Sequence, residues 1–526
     1  MDDAPSPFVA ALLFFSEYKE TPEKNPLLHY SMSLKEKTLK GLSWSFASQI
    51  GKQLTQFFVT AALARSLTSE DFGLIGMATV FVGLFTLLNE RGLSAALIQN
   101  QRSTQTHSSS VFWFNLALGG LLTLLGVSVA SCVAKFYHRD ELKLIFSILS
   151  FNFLIASLAI VPRAMLTKTM NFKKLSVLET LALAIGGGTG VALAFNGFGF
   201  WSLVAQSLVY NAALVILFWS FSHWKPSFIF SSNAIRELSK FSSHLTLSAI
   251  LNYISRNIDY LLIGKLLGAG PLGYYTLAYK LMMYPLQNIC WVISKVMFPA
   301  LSRIQNNKPK VQEAYLKITK GVSLITFPAL CGLLVATPEF ITVVFGAKWL
   351  PASNLIRILC VCGMIQSFVT AQSDILLSQG RTDLQLKLGT FGMLFSVLGI
   401  SIGVRWGIHG VAFGYTLVQS MWVPYGLSRI NQLLGLSTMK FAGPVLKSFA
   451  LSVLMAAGTF AIKTLVGAKD LTALILMIVS GGTFYAALLY IFERAYIHST
   501  LSAFRKSKTT GSISPKEKSA DTLPAD

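Results

Sequence analysis

Val111-Phe-Trp-Phe-Asn-Leu-Ala-Leu-Gly-Gly-Leu-Leu-Thr-Leu-Leu-Gly-Val-Ser-Val-Ala-Ser-Cys-Val133 contains no charged residue. As a helix it would extend about 34 Å, enough to cross the roughly 30 Å hydrocarbon core of a bilayer. It does not alternate as a barrel strand would. Working outward, similar runs fall near 43–64, 74–97, 144–163, 175–195, 200–219, 244–267, 273–299, 320–337, 354–379, 385–404, 410–430, 443–466 and 471–492. Asp71-Phe-Gly, Asn196-Gly-Phe-Gly, Gly268-Ala-Gly-Pro and Thr337-Pro-Glu punctuate them where turns belong. The expected fold is an all-α integral membrane protein of about 14 transmembrane helices.

Composition agrees. Hydrophobic residues make up 53% of the 526 and charged residues only 13%, about half the charged share of a soluble domain. This excludes a disordered chain, a nucleic-acid-binding domain and an ordinary soluble enzyme. The net charge of +21 reads as basic loops on one side of a membrane, with no nucleic-acid partner. The five cysteines, Cys132, Cys290, Cys331, Cys360 and Cys362, all lie in apolar stretches. They form no disulfide framework, and the seven histidines lack metal-ligand spacing, so no metal or cofactor is expected.

An even number of spans puts both termini on one side. With the N-terminus in the cytoplasm, basic residues favour the cytoplasmic segments over the opposite loops by roughly three to one. The opposite loops are short, with no room for a catalytic domain. Residues 1–31 read as an N-terminal extension, disordered or not native, with Met32 the expected start. Residues 496–526, rich in Ser, Thr and Lys, read as a disordered cytoplasmic tail.

The unit beginning near Ser43 recurs near Ser243. Leu63-Ala-Arg-Ser-Leu and Phe72-Gly match Ile263-Gly-Lys-Leu-Leu and Leu272-Gly at an offset of 200, and Ala78 and Ala278 keep the register. Six spans separate the copies, so both halves run in the same direction, a parallel repeat about an axis normal to the membrane. The expected organisation is an N-lobe (32–221, helices 1–6), a cytoplasmic linker (222–240), a C-lobe (241–433, helices 7–12) and helices 13–14 (434–495). The lobes are expected to rock as units about the linker, with contact between them looser than contact within them.

Ionisable groups inside the bilayer cost about 2.5–3.5 kcal/mol each and should face protein or water. The first span carries Gln49, Lys52, Gln53 and Gln56. The seventh carries Asn252, Arg256, Asn257 and Asp259, with Asn252, Arg256 and Asp259 spaced i, i+4, i+7. Under the repeat, Lys52 aligns with Asn252 and Gln56 with Arg256, so two related helices bring polar faces to similar depth. The expected substrate-binding residues are Lys52, Gln53, Gln56, Asn252, Arg256, Asp259 and Lys280, with Glu90, Arg91 and Glu179 as secondary candidates. Arg256 and Asp259 could instead form an i,i+3 ion pair. Gly186-Gly-Gly-Thr-Gly lacks the Lys-Ser/Thr of a P-loop and lies inside a span, where helix packing explains it. No catalytic signature is present, and an enzyme is not expected.

Leu63-Ala-Arg-Ser-Leu-Thr-Ser-Glu-Asp-Phe-Gly, Arg91-Gly-Leu-Ser-Ala-Ala-Leu-Ile-Gln, Asn196-Gly-Phe-Gly-Phe-Trp-Ser-Leu-Val, Tyr253-Ile-Ser-Arg-Asn-Ile-Asp, Leu272-Gly-Tyr-Tyr-Thr-Leu-Ala-Tyr, Val296-Met-Phe-Pro-Ala-Leu and Gly346-Ala-Lys-Trp-Leu-Pro-Ala carry a family resemblance. From about Met32 to Leu436 the chain resembles polysaccharide transporters of the colanic-acid and teichuronic-acid exporter type. These are Wzx-like flippases of the multidrug/oligosaccharidyl-lipid/polysaccharide exporter superfamily.

The resemblance implies two six-helix lobes working by alternating access. It implies a substrate of undecaprenyl-diphosphate-linked oligosaccharide, turned across the bacterial cytoplasmic (inner) membrane for lipopolysaccharide or exopolysaccharide export. Lys52 and Arg256 would then offset the desolvated diphosphate, and Gln and Asn would meet the sugars. The lipid bilayer, a polysaccharide polymerase and other export components are the expected partners. Alternatives are a peptidoglycan-precursor flippase, a multidrug/cation antiporter, and a membrane-embedded glycosyltransferase or polymerase. An antiporter favours acidic groups in the cavity, and an embedded enzyme needs a sizeable outer loop.

The topology makes a direct prediction. In intact cells an impermeant thiol reagent should miss a cysteine placed at Asn307 and reach one placed at Ala269. The reverse pattern would overturn the span count.

Overall fold

A computed structural model describes residues 34–90, 97–98, 103–169, 171–222, 224–467 and 470–494. The helices are α1 (Leu34–Ser66), α2 (Ser69–Glu90), α3 (Gln105–Tyr137), α4 (Glu141–Lys168), α5 (Phe172–Phe195), α6 (Trp201–Phe221), α7 (Ser232–Leu267) and α8 (Ala269–Ile304). They continue as α9 (Lys308–Val344), α10 (Ser353–Gln366), α11 (Val369–Ser378), α12 (Thr382–Gly403), α13 (Gly407–Leu434), α14 (Thr438–Val466) and α15 (Asp470–Phe492). With α10 and α11 as one span interrupted near Ser367, these helices account for the 14 expected spans. Among the described residues, ten stretches are long and apolar enough to cross a membrane; Thr382–Leu434 holds α12 and α13, and Ala347–Ser378 holds α10 and α11. The protein is a multi-pass membrane protein. The expected extension 1–31 and the tail from 496 lie outside the described residues.

Two boundaries differ from the sequence reading. Residues 232–240, read as linker, are the first turns of α7. Thr337-Pro-Glu, read as a turn, lies inside α9, which ends only at Val344 before Gly346 at φ 97°. Pro338 cannot donate to the carbonyl four residues back. The Thr337 hydroxyl donates to that carbonyl, Leu334 O, at 3.2 Å and keeps the helix running.

The end of the bundle holding Leu34 and Phe492 is called the near end, and the opposite end the far end. At the far end α2 and α8 cross, the most extensive contact between the two halves. A Cβ on Gly73 would fall 1.8 Å from Ala269 O, and one on Gly273 would fall 1.7 Å from Ser69 O. Positions 69, 73, 269 and 273 obey the offset of 200, so the crossing lies on the repeat's pseudo-twofold axis. Leu63, Ala78, Ile263 and Ala278 are all buried beside it in one continuous core. The halves therefore touch backbone to backbone here, and the expected looseness between lobes does not hold at this end.

The far end has further ties. Arg65 of α1 donates through Nε to Val344 O at 3.1 Å and through Nη2 to Val343 O, at the C-terminus of α9. Its repeat counterpart Lys265 of α7 donates to Phe136 O at the C-terminus of α3. Both cations thus meet the negative end of a helix dipole in the other half. Trp349 Nε1 donates to Ala64 O at 2.7 Å, and its ring meets Phe72 edge-on at 5.3 Å. Ala269 is 1% exposed, so a labelling cysteine belongs instead at Leu465, 85% exposed at the same end of α14.

The last two helices pack on α9. Tyr485 Oη donates to Leu324 O at 2.7 Å, Ser323 Oγ lies 3.0 Å from Ser448 Oγ, and Lys463 pairs with Glu339. At the near end Glu493 is held by Lys320 of α9 at 2.5 Å and Lys447 of α14 at 3.0 Å. Desolvation pushes the Glu493 carboxyl up, but hydrogen bonds and charge from the two lysines pull it further down, below its ordinary value. A carboxyl depressed on folding stabilises fully above its unfolded pKa and loses that contribution as pH falls through the folded one. Glu493→Gln should therefore lower the thermal midpoint in detergent at pH 7 by about 1–2 °C. The gap to wild type should close as pH falls below the ordinary carboxylate range. A gap independent of pH would remove Glu493 as the anchor.

Candidate functional site

The glycine run of α5 creates the site. A Cβ on Gly187 would meet Val59 of α1 at 2.5 Å, and one on Gly190 would meet Gln206 Cβ of α6 at 2.9 Å. A Cβ on Gly186 would meet Tyr210 Cβ at 2.8 Å. Small residues let three helices close in, which is how polar helices associate within a bilayer. The packing turns Gln206 and Tyr210 of α6 and the polar face of α1 toward one cavity of about 510 Å³.

Gln49, Lys52, Gln53 and Gln56 line one wall of that cavity, and Gln206, Ser207 and Tyr210 line another. Lys280 enters from α8, in the other half. Lys52 and Lys280 stand about 21 Å and 17 Å along their helices from the far end, near mid-membrane. Leu63, Phe72 and Ile75 lie on the far-end side, beneath the Phe72–Trp349 contact.

Lys52 pairs with Glu179 of α5, and Arg163 Nη2 of α4 lies 2.9 Å from the other oxygen of that carboxylate. The Glu179 side chain is only 12% exposed. Gln56 Nε2 donates to Thr60 Oγ1 at 3.3 Å along the same helix.

The sequence-derived candidates separate. Lys52, Gln53, Gln56 and Lys280 share the cavity, with Glu179 behind Lys52. Arg256 is exposed and does not line it. Asp259 is buried and accepts from Tyr275 Oη at 2.9 Å and from the Tyr260 N–H at 2.9 Å. The i,i+3 pairing with Arg256 is thus replaced by a tyrosine of α8, because the neighbours of α7 turn Asp259 into the second half. The side chains of Asn252 and Glu90, and Arg91 altogether, lie outside the described residues. Sequence reading missed Gln206, Tyr210 and Arg163. Gln206 and Tyr210 are spaced i, i+4 on a helix otherwise rich in apolar residues, a signal that was available. Arg163 closes the apolar run 144–163, where its charge alone reads as the cytoplasmic end of a span.

A second cavity, about 450 Å³ and mostly apolar, lies between α1, α8 and α9. Leu54, Leu281, Pro285 and Leu333 are among its walls, and Phe57 packs at its top against Tyr284 and Phe340 at 5.9 and 6.3 Å. Gln53 belongs to both cavities. The pseudo-equivalent seam, between α7 and α2, is closed. Tyr253 Oη of α7 donates to Val80 O at 3.0 Å and to Thr79 O at 3.2 Å, over Gly83.

Residues 62–354 match the family described as "Polysaccharide biosynthesis protein". The chain belongs to this family. It is 30% identical over 398 residues to the lipopolysaccharide biosynthesis protein WzxC of Escherichia coli (strain K12), covering 74% of this chain and 80% of that protein. It is 26% identical over 479 residues to the teichuronic acid biosynthesis protein TuaB of Bacillus subtilis (strain 168), covering 90% and 99%. Among solved structures, the lipid II flippase MurJ in an inward closed conformation superposes with a TM-score of 0.71 at 16% identity, over 86% of this chain and 99% of that one. An inward-facing multidrug resistance transporter of the MATE family gives 0.54 at 15% identity, over 81% and 98%. These two likenesses establish a fold shared with membrane transporters.

Proposed function

We propose that this protein is a flippase that moves an undecaprenyl-diphosphate-linked oligosaccharide across the bacterial cytoplasmic membrane by alternating access. It is a translocator, not an enzyme. The observation that carries the reading is the pair of cavities sharing Gln53. One is polar and bears two lysines, and the other is apolar and lies between the halves.

An amphiphile with a charged, sugar-bearing head needs both. Lys52 and Lys280 offset the desolvation of a diphosphate through charge-assisted hydrogen bonds. The glutamines and Tyr210 supply donors and acceptors for hydroxyls. A long prenyl tail drawn out of lipid would cost about 0.8 kcal/mol per methylene, on the order of tens of kcal/mol in all. The seam at α1, α8 and α9 lets the tail stay in the membrane while the head enters.

Basic residues favour the near end, so the termini are cytoplasmic. The far end, sealed by the α2–α8 crossing, is periplasmic, and this conformation takes substrate from the cytoplasmic side. The names of the relatives agree, since they are described as biosynthesis proteins for lipopolysaccharide and teichuronic acid and as a transport protein for succinoglycan. A cation antiporter fits less well, because among the described residues both charged side chains lining the polar cavity are lysines.

The test is translocation of a defined lipid-linked oligosaccharide by the purified protein in liposomes, followed by glycosidase access to each leaflet. Wild type should equilibrate the leaflets. Lys52→Ala and Lys280→Ala should each slow this about tenfold or more, the effect of losing about 1.4 kcal/mol. Arg256→Ala should slow it much less. Leu54→Trp, which fills the apolar seam, should block it. Wild-type rates in both lysine variants, or no movement by wild type, would overturn the reading.

A further inference from the structure

We propose that Glu179 is a built-in substitute for the substrate's diphosphate. In the empty cavity it neutralises Lys52. On loading it yields Lys52 to the incoming anion and is held by Arg163. This rests on the flippase reading and adds to it a residue that sets affinity and release.

Three observations carry it. First, Glu179, Leu183 and Gly187 follow one another at i, i+4, i+8 on α5, so they share a face. Leu183 and Gly187 line the polar cavity, and Glu179 continues their stripe toward the near end. Second, the carboxylate has two cationic partners on two different helices, Lys52 of α1 and Arg163 of α4. Losing Lys52 would leave Arg163 Nη2 2.9 Å from the carboxylate's other oxygen, an ion contact without a hydrogen bond, so the largely covered charge keeps an electrostatic partner on release. Third, the two cavity lysines are unequal. Among the described residues, Lys280 has no carboxylate within ion-pair distance, whereas Lys52 is already neutralised.

The consequence follows from competition. A diphosphate meeting two bare lysines in a low-dielectric cavity would be held tightly and released slowly. Glu179 is tethered beside Lys52, so it acts as a competing ligand whose effective concentration never falls. Binding at Lys52 becomes an exchange of one ion pair for another. Net affinity then comes from Lys280 and the sugar contacts, and the returning carboxylate helps expel the head at the far side.

The experiment uses the full chain purified in detergent, with radiolabelled farnesyl diphosphate as probe, and the same variants in liposomes. Wild type should bind the probe, and Lys280→Ala should bind it several-fold more weakly. Glu179→Gln should bind about tenfold more tightly, a change of about 1.4 kcal/mol, yet translocate more slowly. Glu179→Asp should retain wild-type affinity. On a Lys52→Ala background Glu179→Gln should bring no gain.

A purely structural glutamate predicts weaker binding and slower translocation together. If Lys280→Ala weakens binding but folded Glu179→Gln does not tighten it, the counter-ion role is wrong and the flippase reading stands. If Glu179→Gln does not fold, Arg163→Gln decides. The freed carboxylate then loses its second partner, so probe binding should weaken, and unchanged binding overturns the proposal. No binding by wild type, or none of it dependent on Lys280, overturns both.

Discussion

Where α2 crosses α8, Gly73 faces the carbonyl of Ala269 and Gly273 faces that of Ser69, leaving no room for a side chain on either. This double contact fixes the distance between the halves at the far end, and the other features are arranged around it. Phe72 lies one residue from Gly73 and meets Trp349 above the polar cavity. Arg65 and Lys265, one at the end of each repeat's first helix, reach backbone carbonyls of the opposite half. The cavity is therefore closed on one side by main-chain packing and by cations on helix ends, neither of which needs a long loop.

The halves are related by a repeat but are not used alike. The seam between α7 and α2 is joined by Tyr253 on two carbonyls. The equivalent seam, between α1 and α8, holds the apolar cavity. Charge is divided unequally as well. The polar residues of α1 face the cavity, whereas Asp259 of α7 is turned into its own half and bound by Tyr275. One half thus supplies most of the polar wall, and the other supplies Lys280 and the open flank.

The spans were legible because mostly apolar runs of bilayer length admit few other readings. The repeat was legible at Leu63/Ile263, Gly73/Gly273 and Ala78/Ala278, although the backbone contact that the two glycines permit was not. Lys52, Gln53 and Gln56 were legible as one helical face. Three features were not. The Glu179 partnership with Lys52 depends on how α1 and α5 pack, over a separation of 127 residues. The capture of Asp259 by Tyr275 of α8, in place of Arg256 three residues away on its own helix, is set by a neighbouring helix and not by the periodicity of α7. By position Arg65 and Lys265 lie on the sparsely basic side, yet they bind helix ends and say little about headgroups.

The central claim is that transport requires the far-end crossing of α2 and α8 to open. Gly76 and Thr276 are repeat equivalents on those two helices, and a Cβ at position 76 would lie 3.4 Å from Thr276 Oγ1, within reach of a disulfide. In liposomes, the Gly76→Cys/Thr276→Cys protein should translocate lipid-linked oligosaccharide when reduced, stop when the crosslink has formed completely, and resume on re-reduction. Undiminished translocation by the fully crosslinked protein would contradict the account.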